Sequence, residues 1–131
     1  MLHALPPDAY LAWQYVDAHR GIDRGQVYWD DGRIEAIEGA EHEEVCRFSS
    51  EQVEAARHAI VESGLPGAAD RSAAGAHDTA TVTYWWRAGG SEGMIVNAGY
   101  PAERPPEIER LEARLADLEE EAGGWPLLAE E

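Results

Sequence analysis

The chain has 131 residues, enough for one ordinary globular core and short for two, so a single domain over 1–131 is expected. Twenty-six acidic residues against ten basic ones, all of them arginine, give a formal net charge of -16, a field that repels nucleic-acid phosphate and anionic lipid and suits a basic protein partner. Cys46 is the lone cysteine, which excludes an internal disulfide and a multi-cysteine metal site, and no apolar run approaches the roughly 20 residues that span a bilayer.

Met1 to Gly21 lacks the basic start and apolar centre of a signal peptide, so a cytoplasmic setting is expected. Pro6-Pro7-Asp8 resembles a helix start, and the good helix formers that follow to Arg20 predict a short N-terminal helix ended by Gly21. Tyr10, Leu11, Trp13, Tyr15 and Val16 spread around most of its circumference, as on a helix covered on more than one side or at a homodimer contact. Gln26 to Trp29 and Arg33 to Ile37 flank Asp30-Asp31-Gly32 and predict a hairpin. Val45 to Phe48 reads as a third strand, after a stretch from Glu38 to Glu44 too charged to bury, a turn or a solvated strand extension. Ser49 and Gln52 then have capping-box spacing with Phe48 and Val53 as the staple, opening a helix whose buried side is Val53, Ala56, Ile60 and Val61 and whose stop is Gly64-Leu65-Pro66.

Gly67 to His77 is small, polar and without periodicity, a connector. Thr79 to Arg87 alternates, with Ala80, Val82, Tyr84 and Trp86 on a core face and Thr81, Thr83, Trp85 and Arg87 on the other. Gly89, Gly90 and Gly93 mark a second hairpin, closed by Met94 to Asn97. Pro105-Pro106 opens a helix with Ile108, Leu111, Leu115 and Leu118 on its buried stripe and Glu109, Arg110, Glu112 and Glu120 toward water. Trp125, Leu127 and Leu128 are apolar enough to dock on the domain or a partner.

The expected fold is therefore α+β. A four- to five-stranded, mainly antiparallel sheet carries two amphipathic helices on one face, in a loose hairpin-helix repeat over 26–63 and 79–122, plus the short N-terminal helix. Residues 79 to 118, with their hairpin, Pro-Pro-Glu-Ile and leucine helix, resemble the C-terminal half of the emfourin-type protease inhibitors. The resemblance covers under half of the chain, that family's glycine-rich N-terminal motif has no counterpart here, and no inhibitory residue is carried over.

No reaction is legible. His3, His19, His42, His58 and His77 are scattered without metal-ligand spacing, and the cluster Glu41-His42-Glu43-Glu44 with Cys46 reads as a solvated acidic loop, so neither a metal nor a cofactor is expected. Cys46, beside Val45 and Phe48, reads as a small core residue before it reads as a nucleophile. The glycines of the second hairpin do not lie between a strand and a helix and so make no phosphate loop. The informative oddity is Trp85, which alternation turns away from Trp86; with Arg87, Tyr28 and Asn97 it would give the outer sheet face an aromatic and polar binding surface. The competing reading covers that face with the N-terminal helix. Two functions follow: a small, non-enzymatic module that binds or neutralises a protein partner through this face, or a small-molecule-binding domain or enzyme with a Trp- and Tyr-lined pocket between sheet and helices.

Overall fold

The structure, a computed structural model, describes residues 5–17, 20–39, 41–67, 80–88, 90–100 and 106–123, with the backbone alone at 98–100. The chain is α+β: strands β1 (Ala9–Asp17), β2 (Ile22–Trp29), β3 (Arg33–Glu38) and β4 (Glu41–Arg47), helix α1 (Ser50–Glu62) with a 3-10 turn at Leu65–Gly67, strands β5 (Ala80–Ala88) and β6 (Ser91–Tyr100), then helix α2 (Pro106–Glu121). All six strands pair antiparallel in one sheet of order β4-β3-β2-β1-β5-β6.

The predicted N-terminal helix does not form; its residues are β1, the strand on which both halves of the sheet meet. The apolar residues that ring a helix built from this sequence instead fall on two faces of a strand, Leu11, Trp13 and Tyr15 on one and Ala12 and Val16, flanking Gln14, on the other. A central strand buried on both sides carries apolar residues at nearly every position, which erases the two-residue alternation by which a strand is recognised. β1 is also the sixth strand that raises the sheet above the predicted four or five. The acidic stretch to Glu44 continues the edge strand β4, with Gly39 at φ 61 in the preceding turn. Three strands precede the first helix after Gly21 and two precede the second, so the hairpin-helix repeat holds only in outline.

Local signals placed α1 well. Ser49 accepts from the Gln52 N–H and Gln52 reaches back to the Ser49 N–H, while Phe48 and Val53 are both buried beside this cap. Gly64, at φ 88, ends the helix as expected and Leu65 is buried behind it. Ala59 completes the buried side in place of Val61, which is 51% exposed. On α2 the stripe Ile108, Leu111, Leu115 and Leu118 is buried as predicted, but so is Glu112, which the spacing had placed toward water.

Both helices share one core cluster with Leu11, Trp13, Tyr28, Val82, Tyr84 and Trp86, so they cover the same face of the sheet. A smaller cluster on the opposite face holds Ala9, Ala12, Val27, Ile37 and Trp85, with Leu5 and Trp29 against it. The connector up to His77 and the C-terminal Trp125, Leu127 and Leu128 lie outside the described residues.

Candidate functional site

Trp85 and Trp86 point to opposite faces, as a regular strand requires, and belong to different clusters. Both are nonetheless nearly covered, at 7% and 6% exposure. Trp85 is screened from the N-terminal side by residues preceding β1 and not by a helix: Leu5 packs against its cluster, and Asp8 fixes the approach by accepting from the Asp30 N–H at 2.8 Å. Arg87 pins the same segment. Its Nη1 donates to the carbonyls of Pro6, Pro7 and Ala9 at 3.3, 2.9 and 2.6 Å, while Nη2 and Nε hold Glu92 at 3.1 and 3.2 Å. The guanidinium is thus a clamp that joins the N-terminal segment, β5 and β6.

Between these parts lies an open groove of about 430 Å³, walled by Leu5, Pro7, Trp85, Trp86, Arg87, Glu92, Gly93 and Met94. Gly93 lets it exist, because a Cβ there would stand 2.7 Å from Trp86 Cζ2 and 3.1 Å from Nε1, so the indole lies directly against the bare α-carbon. Met94 is 52% exposed on the neighbouring position. The Nε1 donors of both tryptophans are shut off from water and have no acceptor among the described residues. Leaving such a donor unpaired costs about 1–3 kcal/mol, so two in one groove call for an explanation.

Of the four residues expected to form the binding face, the structure brings Trp85 and Arg87 together in this groove. Tyr28 and Asn97 lie across the sheet. Tyr28 is fully buried in the helix-side core, and Asn97, also fully buried, stands opposite Val82 of that same core. No surface joins the four.

Tyr28 instead belongs to a polar layer between the sheet and α2 that no sequence signal singled out. Its hydroxyl donates to Glu119 Oε1 at 2.7 Å and lies 3.3 Å from Gln26 Oε1, which also accepts from Trp13 Nε1 at 2.9 Å. About two turns earlier on α2, Glu112 Oε1 accepts from the Tyr84 hydroxyl of β5 at 2.6 Å. Burial pushes the Glu119 carboxyl up to about 7, because the ionised form loses its water and the Tyr28 hydrogen bond offsets only part of that loss. Tyr28 is held well above the ordinary phenol range by the same burial and by the neighbouring Glu119 charge. A single hydroxyl proton cannot serve two acceptors. When Glu119 is ionised it accepts the Tyr28 hydrogen bond; when protonated it can donate to Tyr28 Oη, and the Tyr28 hydroxyl can then donate to Gln26 Oε1. Gln26 Nε2 and Tyr10 Oη, both buried here, have no partner among the described residues.

Other openings are lined largely by charged side chains. One of about 510 Å³ is lined by Ala36, Glu38, Glu41, His42 and Glu43 at the acidic β3–β4 end. Among the described residues no group of three or more His, Cys, Asp or Glu converges as metal ligands, and no helix is long and apolar enough to cross a membrane. The chain matches no protein-family model, no curated protein and no solved structure.

Proposed function

We propose that this chain is a small protein-binding module that binds or neutralises a protein partner through the Trp85 groove. The observation that carries the reading is the pair of indoles walling an open groove beside the half-exposed Met94. Aromatic side chains in a recess, beside an exposed methionine, are the composition of an interface centre. The net charge of -16 steers basic partners toward the molecule and repels nucleic acid and anionic lipid. A cytoplasmic setting, with Cys46 reduced, belongs to the same proposal. The test is affinity capture from the native host with the wild-type chain and with Met94→Arg as paired baits, followed by purification and titration of whatever only the wild type retains. The reading expects a protein whose affinity for Met94→Arg falls at least thirtyfold, about 2 kcal/mol, with an unchanged melting midpoint. A partner that binds both baits equally would place the contact elsewhere.

A second reading rests on the layer under α2. Two buried carboxylates, Glu112 and Glu119, face tyrosines of the sheet beside the unpaired Gln26 Nε2 and Tyr10 Oη, the lining expected of a small-molecule site between sheet and helix. A compound that raises the melting midpoint of the wild type, but not of Glu119→Gln, would favour it.

A further inference from the structure

We infer that the second half of α2, from Leu115 to Glu121, is a proton-controlled strap: it lies against the sheet while Glu119 is protonated and lifts away when Glu119 ionises, leaving the rest of the fold in place. The two halves of α2 are held differently. In the first half Arg110 donates to the Ser63 carbonyl at the end of α1, from Nε at 3.1 Å and from Nη2 at 2.8 Å, and Glu112 accepts from Tyr84 at 2.6 Å. Ile108 and Leu111 are fully buried beside these bonds. The second half rests on Leu115, Leu118 and, among the described residues, one side-chain hydrogen bond to the sheet, from the Tyr28 hydroxyl to Glu119 Oε1 at 2.7 Å. Toward α1, Gln52 Nε2 reaches the Leu118 carbonyl only at 3.5 Å, longer than a normal hydrogen bond.

That one bond is made by a carboxyl group in a site built for its neutral form. Glu119 is 2% exposed and Tyr28 is fully buried, so an ionised Glu119 exchanges its water for a single neutral donor. Among the described residues it makes no ion pair. What faces it is uncharged: Tyr28 from β2, with Gln26 and Trp13 behind in the same hydrogen-bond chain, and Tyr10 from β1, whose ring lies 6.1 Å from that of Tyr28. Cys46 of β4 packs against the same core. Arg57 of α1 lies over the Tyr10 ring, 5.1 Å from its centroid, but its guanidinium is bound to Asp30. The helix itself opposes the charge as well. α2 has no basic residue in its last turn, and Asp117, Glu120 and Glu121 already place negative charge at the end where the helix dipole is negative. Burial accordingly pushes the docked Glu119 carboxyl from 4.5 up to about 7, and above that pH the strap sheds the penalty of a buried charge by lifting.

The test is amide hydrogen exchange of the full chain, resolved by residue at pH 6 and pH 8 and corrected for the intrinsic base-catalysed rate. A carboxyl that titrates at 4.5 in the lifted state and at about 7 in the docked state makes the opening constant of the Leu115 to Glu121 amides rise about tenfold over that range. At pH 8 these amides should also be less protected, by about tenfold or more, than those of Trp13 and Tyr15 in the central strand β1, which exchange only when the sheet opens. Glu119→Gln keeps an acceptor for Tyr28 and cannot ionise, so it should abolish the rise. Glu121→Gln removes an exposed charge from the same turn and should retain it. Equal protection of β1 and the second half of α2 would overturn the inference, because the helix would then leave only with the whole fold. So would a rise that survives in Glu119→Gln or vanishes in Glu121→Gln, which would assign the effect to surface charge at the helix end. The comparison of α2 with β1 is made in the wild type and stands even if Glu119→Gln folds poorly. The strap lies on the helix-covered face of the sheet, so neither outcome bears on the Trp85 groove.

Discussion

Gly93 is where the edge of the sheet meets the core. Its missing Cβ gives the Trp86 ring its seat, and Gly93→Ala would force a methyl group to within 2.7 Å of ring carbon Cζ2. The core side of Trp86 cannot yield freely, so the substitution should destabilise by about 1–3 kcal/mol in urea denaturation. Trp86→Ala should lose more, about 3–5 kcal/mol, because it empties a site in the main core. Trp85→Ala should lose less than Trp86→Ala, since its ring packs in the smaller cluster on the opposite face and not in the main core. The opposite orientation of these two tryptophans was legible in the sequence, because alternation within one strand needs no other strand. The side on which Tyr28 and Asn97 face was not. Within β6, Ile95 and Asn97 alternate against Met94 and Val96, and only pairing of Asn97 with Val82 decides which pair goes inward. For Tyr28 the deciding partner is Leu11 on β1, the very segment whose sequence reads as a helix.

Helix α2 shows how far an amphipathic pattern reaches. Its leucine stripe was readable, but Glu112 and Glu119 each follow an apolar residue, Ile108 and Leu115, by one helical turn, so they ride on the margin of that stripe. Whether a margin carboxylate is wet or buried depends on what the facing sheet offers, here the hydroxyls of Tyr84 and Tyr28. The buried layer has a consequence for pH. The Glu119 carboxyl rises from 4.5 to about 7 on folding, so the folded state binds the proton more tightly than the unfolded one. Its contribution is fully present below pH 4.5 and is lost as pH rises through about 7, and at about 1.4 kcal/mol per pH unit the span amounts to about 3 kcal/mol. Glu119→Gln keeps an acceptor for Tyr28 and cannot ionise. Relative to the wild type it should be more stable at pH 8 and should gain nothing at pH 4, so the difference between the two denaturation curves isolates Glu119 from the general effect of titrating an acidic protein. A difference that does not change between pH 4 and 8 would show that Glu119 titrates as an ordinary surface carboxylate.

At the scale of the whole molecule, charge is the dominant feature and it was fully readable in the composition. The fold shows where it concentrates. Across the outermost strand pair Glu35 stands opposite Glu44 and Glu38 opposite Glu41, like charges at directly opposed positions, on an edge strand that is exposed along most of its length. Such pairs each destabilise by a few tenths of a kcal/mol to about 1 kcal/mol, and in exchange a charged edge resists pairing with other chains. Screening should relieve this repulsion, since the Debye length is about 10 Å at 0.1 M and shorter above it. The melting midpoint should therefore rise from low salt to about 0.5 M sodium chloride, and a flat or falling midpoint would mean that the carboxylates are individually compensated. The sheet order itself was out of reach of the sequence: the amphipathic signals of α1, α2 and β5 are local, whereas the placement of β1 between β2 and β5 is a long-range outcome of burying Trp13 and Tyr15 on one side and Ala12 and Gln14 on the other.

The central claim is that function resides in the Trp85 groove and not under α2, and calorimetric titration of the captured partner against the wild type, Met94→Arg and Glu119→Gln tests it most directly. The groove account predicts at least a thirtyfold loss of affinity in Met94→Arg and none in Glu119→Gln, with all three chains folded at the temperature of measurement. Full affinity in Met94→Arg together with a loss in Glu119→Gln would contradict it and move the site to the buried carboxylate layer.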